Sequence, residues 1–204
     1  EMIELGYEAN SFAGVATAEH LKRLEDRLAL AFGRRIRLPK DYCDHLLRFH
    51  GGVPIKRCFK LPSGKTRTIC RFCNWFTDED IEPPLEPTWR QWAAHDIRMD
   101  YSIHSFFEYE NWRVRFDHVE EAEELVPIAV LDWPGLDSRE MDTFDLLCFN
   151  FKVSTHPPIL VWEFENFHRF NSDTTFVASS FTGFTEMLFT DASNPVMQQT
   201  VSHF

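Results

Sequence analysis

Three runs in the second half of the chain, "LVPIAVLDW", "FDLLCFNF" and "PILVWEF", constrain the fold more than any other feature. Each is short, dense in leucine, β-branched and aromatic side chains, and set off by turn-rich segments, which is the pattern of a strand. Strands in this order are expected to pair antiparallel. Upstream, "IKRCFKLPSGKTRTICRFCNWF" places two β-like runs around "PSGK" and reads as a hairpin. With 15% aromatic residues, including 20 Phe and 6 Trp, the chain favours sheets with large side chains packed across them. "WPGLDSREMDT", between the first two runs, is long for a hairpin loop, and long loops are often functional.

Helical spacing governs the rest. Thr17 offers an N-cap to a stripe of Leu21, Leu24, Leu28 and Ala31, and Gly33 supplies the stop. Pro39 suits the first position of a second helix, Asp41 suits its positive dipole end, and Tyr42, Leu46 and Phe49 form its stripe. Gly51 or Gly52 then provides a positive φ, with Pro54 preventing continuation. Trp89 to Val119 carries aromatics at mixed spacing and is read as helical, and "SSFTGFTEMLF" gives a last helix on Phe181, Phe184, Met187 and Leu188. The expected architecture is α+β, a twisted, mainly antiparallel sheet flanked by helices in one domain. It comprises a loosely held lead-in over 1–16, the domain over 17–190 and a tail over 191–204. No apolar run approaches the roughly 20 residues of a bilayer span and no leader pattern opens the sequence, so a soluble, cytoplasmic chain without membrane contact is expected.

Residue patterns that carry chemistry are weak. Cys58, Cys70 and Cys73 lack a fourth zinc ligand, and Cys70 and Cys73 on one strand would face opposite ways. With Cys43 and Cys148 the count is odd, which fits reduced thiols. "GKT" lacks the first glycine of a phosphate loop, since Phe59 stands there. His50 beside Gly51 and Gly52 resembles an esterase oxyanion loop, but no Gly-x-Ser-x-Gly supplies the nucleophile. Asp132 with Asp145, or Glu163 with Glu165, could act as acid and base, yet strand ends and outward positions explain them better. Trp75, Trp112 and Trp162 read as core. No catalytic residue, cofactor or metal ligand is assigned.

The order of motifs resembles the SUKH superfamily, the Smi/Knr group of cell-wall-assembly regulators and bacterial immunity proteins. "LPKDYCDHLLRFHGGVP" carries Leu38, Pro39, Tyr42, Gly51 and Gly52; "LVPIAV", the Asp145-led strand, Pro157, Pro158 and Trp162 of "PPILVWEFE", and the Ser-Phe opening of the last helix follow. The likeness runs from about Thr17 to Phe189. His50 stands where the family usually has Asn, and Phe144 where glycines usually precede the Asp. The resemblance implies a SUKH-like fold, no enzymatic activity, and an immunity protein that binds and neutralises a cognate toxin, such as a nuclease. A regulatory scaffold of cell-wall signalling is the alternative, and a hydrolase using His50 or Asp145 ranks below both.

Charge points to the same kind of partner. The formal net charge is -11, and it is uneven: 14 basic residues stand against 8 acidic up to Trp75, and 7 against 24 beyond it. An acidic surface repels nucleic acid and speeds encounter with basic proteins. The expected partner-binding surface is Asp78, Glu79, Asp80, Glu120, Glu121, Glu123, Glu124, Asp132, Asp137 and Asp145, with Trp133 as an aromatic anchor.

Overall fold

The computed structural model describes residues 6–8, 11–12, 14–75, 103, 124–132, 145–163 and 173–190. Over these the chain is α+β, with a curled six-stranded antiparallel sheet in which each strand pairs with its neighbour in sequence. The strands are β1 (Cys58–Lys60), β2 (Thr66–Phe72), β3 (Leu125–Leu131), β4 (Asp145–Asn150), β5 (Ile159–Glu163) and β6 (Asp173–Ala178). Helices α1 (Ala18–Ala31) and α2 (Lys40–Arg48) precede the sheet, and α3 (Phe181–Glu186) follows it. The hairpin and the three later strands form as expected, with Gly64 at φ 85 in the "PSGK" turn. β6 is a strand the sequence reading does not anticipate. Its Thr-Thr-Phe-Val run is β-branched and aromatic, but too short to stand out beside the helix that follows.

Three bulges curl the sheet. Cys70 on β2, Ile128 on β3 and Val177 on β6 are each an extra residue opposite a continuous partner. An inserted residue bends its strand and increases the local right-handed twist. Pro127, which has no N–H for a ladder, stands beside the bulge at Ile128 in an interior strand. All seven residues of β3 are buried, as are the four central residues of β4, so this part of the sheet is covered on both faces. Trp75 and Trp162 are core residues, as expected.

The helices follow their signals with small differences. Thr17 caps α1 in a capping box with His20, and Gly33 ends it at φ 63, but Ala31 is exposed while Leu24 and Leu28 carry the burial. Pro39 is the residue before α2 rather than its first helical position. Tyr42 packs edge-on against Phe149 of β4 and Phe181 of α3, each ring centre 5.0 Å away. Asp41 joins the starts of two helices, accepting from the Thr182 N–H at 2.8 Å and its hydroxyl at 2.9 Å. Phe181 and Phe184 of α3 and Leu188 just beyond it are buried, whereas Met187, the residue that ends the helix, is exposed.

The lead-in departs from its expected looseness. Residues 6–8 lie antiparallel to 53–55, with the Glu8 N–H donating to Val53 O at 3.0 Å and the Ile55 N–H to Gly6 O at 2.7 Å. Gly51, at φ 66, closes α2 as foreseen. Gly52 serves a different end: a Cβ there would come within 2.7 Å of ring atoms of both Tyr7 and Phe12. Its missing side chain is what lets the lead-in dock.

The expected helix over 89–119, apart from the buried Ile103, the loop over 133–143 and the tail over 191–204 lie outside the described residues. Among those described, no helix is long and apolar enough to cross a membrane.

Tyr42 generates a stability prediction. Its hydroxyl is buried without a hydrogen-bond partner among the described residues, and an unmet buried hydroxyl costs about 1–3 kcal/mol. Tyr42→Phe is therefore expected to leave stability unchanged or raise it by about 1 kcal/mol in urea denaturation. A clear loss would show that the hydroxyl is satisfied.

Candidate functional site

An antiparallel meander brings alternate strand ends to the same side of a sheet. Here the start of β2, the end of β3, the start of β4 and the end of β5 meet, and each contributes a charged residue. Arg67, only 1% exposed, reaches Asp132 with Nε, Asp145 with Nη2 and Glu163 with Nη1, the last at 2.6 Å. Lys65 approaches Glu163 at 3.4 Å from the solvent side. Asp132 has a left-handed backbone, φ 49, and is clasped to β2: its N–H donates to Thr68 O at 2.8 Å, and its Oδ1 accepts from the Thr68 N–H at 2.7 Å.

Two opposing effects set the protonation of this group. Burial works against the Arg67 charge, but its hydrogen bond to Asp145 and the charges of Asp132, Asp145 and Glu163 outweigh it and raise the pKa further. For Asp132, burial prevails over the pull of Arg67 and holds the carboxyl above its ordinary value, with nearby Asp145 adding to the rise. Two cations against three carboxylates leave one surplus negative charge at this rim. The carboxylate side chains are 19–37% exposed, so the surplus borders solvent while the guanidinium does not.

The rim gathers two of the expected partner-binding residues, Asp132 and Asp145. Glu124 stands elsewhere, at the start of β3, bound by Arg34, which also donates to Phe151 O at 2.5 Å. All three are thus held by arginines. Asp78, Glu79, Asp80, Glu120, Glu121, Glu123, Trp133 and Asp137 lie outside the described residues. The acid and base pairing considered for Asp132 and Asp145 becomes a shared grip on one guanidinium. Sequence reasoning missed Arg67 itself. Its signal is only its place near the start of a strand, and the partners stand 65 to 96 positions away, so that topology alone unites them.

The histidines and thiols take other roles. His50 is buried, and the Trp75 N–H donates to its Nε2 at 3.0 Å. His45, also buried, meets the Tyr7 hydroxyl at 2.8 Å through Nε2 and touches the rings of Phe49, Phe72 and Phe181. Burial, helped by Arg48, lowers its pKa from the ordinary 6.5 to about 3. The five cysteines are free, and burial raises Cys43 to about 12 and drives Cys73 and Cys148 upward too, so none of these three is a ready nucleophile. Among the described residues, no three His, Cys, Asp or Glu side chains are placed to hold a metal ion.

Fold and rim together define an α+β meander domain whose strand ends are tied at an acidic, arginine-centred edge. Comparison with protein-family profiles, curated proteins and solved structures found no significant match.

Replacing Arg67 by Met removes the shared cation and leaves three carboxylates facing one another. The expected loss is about 3 kcal/mol or more in urea denaturation, against less than about 1 kcal/mol for Lys65→Met at the exposed edge. Equal losses for the two variants would refute the view that Arg67 locks the strand ends.

Proposed function

We propose that this chain is a SUKH-type, non-enzymatic binding module that acts in the cytoplasm as an immunity protein, covering the basic active site of a cognate toxin such as a nuclease. The observation that carries the reading is the fit between motif and element. The Leu38-Pro39 pair leads into α2 and Gly51-Gly52 follows it; Pro127-Ile128-Ala129 lies within β3; Asp145 opens β4; Pro157-Pro158 leads into β5; Ser180-Phe181 opens α3. Three of the five motifs thus fall on strands of the meander and two on the helices before and after it, the kinds of element that the resemblance implies for each. The acidic balance beyond Trp75 supports the class of partner, because a negatively charged face steers toward a basic site before contact is made.

Two measurements test this. Co-expression with a candidate toxin is expected to rescue growth and yield a stable complex, and absence of both with every candidate would overturn the proposal. The association rate of that complex is expected to fall at least tenfold between about 0.02 and 0.5 M salt, as screening shortens the reach of the charges. The triple substitution of Glu120, Glu121 and Glu123 by Gln should slow association severalfold at low salt and leave folding unchanged. An on-rate indifferent to salt would remove the electrostatic part and leave shape alone to explain recognition.

A further inference from the structure

The docked lead-in is built like a bound peptide. Backbone pairing with 53–55 holds it in place, and three side chains fit separate receptors. The Tyr7 ring stacks on Phe49 at 4.6 Å and its hydroxyl meets His45. Phe12 and Tyr7 both lie over the bare Gly52. Ser11 is caught twice, its Oγ accepting from the Val53 N–H at 3.0 Å and its carbonyl accepting from Arg71, which also donates to Gly51 O at 2.7 Å. Behind it, Gly14 at φ 148 precedes the exposed Val15 and offers a pivot ahead of the Thr17 cap.

We propose that residues 6–8 and 11–12 form an acid-released strap, latched by the Tyr7–His45 contact and detached when His45 takes up a proton. Closed, the strap shuts His45 among Tyr7, Phe49, Phe72 and Phe181. The charged groups on His45 are Asp41 and Arg48 of its own helix, and their effects oppose one another; the strap contributes the neutral Tyr7 hydroxyl, and β2 and α3 contribute uncharged rings. An imidazolium there would have little to replace water. Release removes the Tyr7 cover while Phe49, Phe72 and Phe181 stay, so one side of the ring meets solvent and its proton binding moves back toward the ordinary range. The closed state binds the proton only near pH 3, and with part of the burial relieved the open state binds it at a value moved back toward the ordinary 6.5. Between those values the open state carries more protons, so acid favours opening, by up to tenfold per pH unit for one proton. Opening bares the Phe49 ring face and the peptide groups of Val53 and Ile55.

Native-state hydrogen exchange on the full chain tests the latch, with rates corrected for intrinsic exchange at each pH. The amides of Glu8, Val53 and Ile55 are expected to open at least a hundredfold more often than those at the centre of β4. Their opening constant should rise as the pH falls from about 6 to 4, by up to about tenfold per unit. In His45→Gln that rise should vanish while the Glu8–Arg57 ion pair remains, which separates His45 from the other titratable group of the strap. Tyr7→Phe keeps the ring and removes the hydroxyl; it should raise opening about fivefold at pH 7 and retain the slope. Strap and β4 amides opening together, a flat pH profile in the natural chain, a slope that survives in His45→Gln, or Tyr7→Phe without effect would each overturn the proposal.

Discussion

Arg67 is a cation withdrawn from water, and the strand ends around it are arranged so that its burial is tolerable. Moving an ion of this size into a protein interior costs several kcal/mol, and only well-placed opposite charges offset it. Three carboxylates from three other strand ends do so, and each uses a different nitrogen of the guanidinium. That redundancy has its own consequence: carboxylates drawn to one cation repel each other, and the surplus charge is left at the solvent border. An apolar residue at position 67 could fill the same space, but it could not tell correct from shifted pairing. The guanidinium meets all three carboxylates only when β2, β3, β4 and β5 are all in register. In a sheet with bulges on β2, β3 and β6, register is where error would otherwise enter.

The same cluster frames the segments that leave the sheet at this edge. Asp132 and Asp145 flank residues 133–144, and Glu163 stands where 164–172 begins. Anchoring both ends of a loop lowers the entropy lost when that loop is later ordered against a partner. Trp133 and Asp137, expected from sequence to meet a partner, belong to the first of these segments, whose two ends are fixed by one arginine.

How much of this could be read from sequence divides by the range of the interaction. Thr17 as a cap, Gly51 as a helix stop, the "PSGK" turn and the strands led by Leu125 and Asp145 are local matters of periodicity, φ and side-chain shape, and they formed as expected. Gly52 was legible only as part of the same stop. Its second role depends on Tyr7 and Phe12, some forty positions earlier in the chain, and no local pattern announces that contact. His45 is one of nine histidines scattered along the sequence, and nothing in its neighbours reveals that aromatic rings of other elements close around it. Arg67 is the extreme case: between two threonines in a hairpin strand it has the pattern of a solvated residue, and only the meander reveals its burial.

The division of charge along the chain has a double meaning in the folded molecule. The excess of acidic residues beyond Trp75, set against a basic excess before it, is the ground on which an acidic partner-binding surface is expected. Arg34 with Glu124, Arg67 with Asp132, Asp145 and Glu163, and Lys65 with Glu163 all cross from the first part to the second. Some of the asymmetry is therefore consumed in folding, drawing the basic hairpin and the turn after α1 onto the acidic half of the sheet. Carboxylates so held are fixed in direction by arginine and partly neutralised. On the proposed reading they would serve a partner chiefly as rigid acceptors, and long-range attraction would fall to the other acidic residues. A surface of both kinds would draw a basic protein by one set and orient it by the other, which separates the residues that govern the rate of encounter from those that govern its geometry.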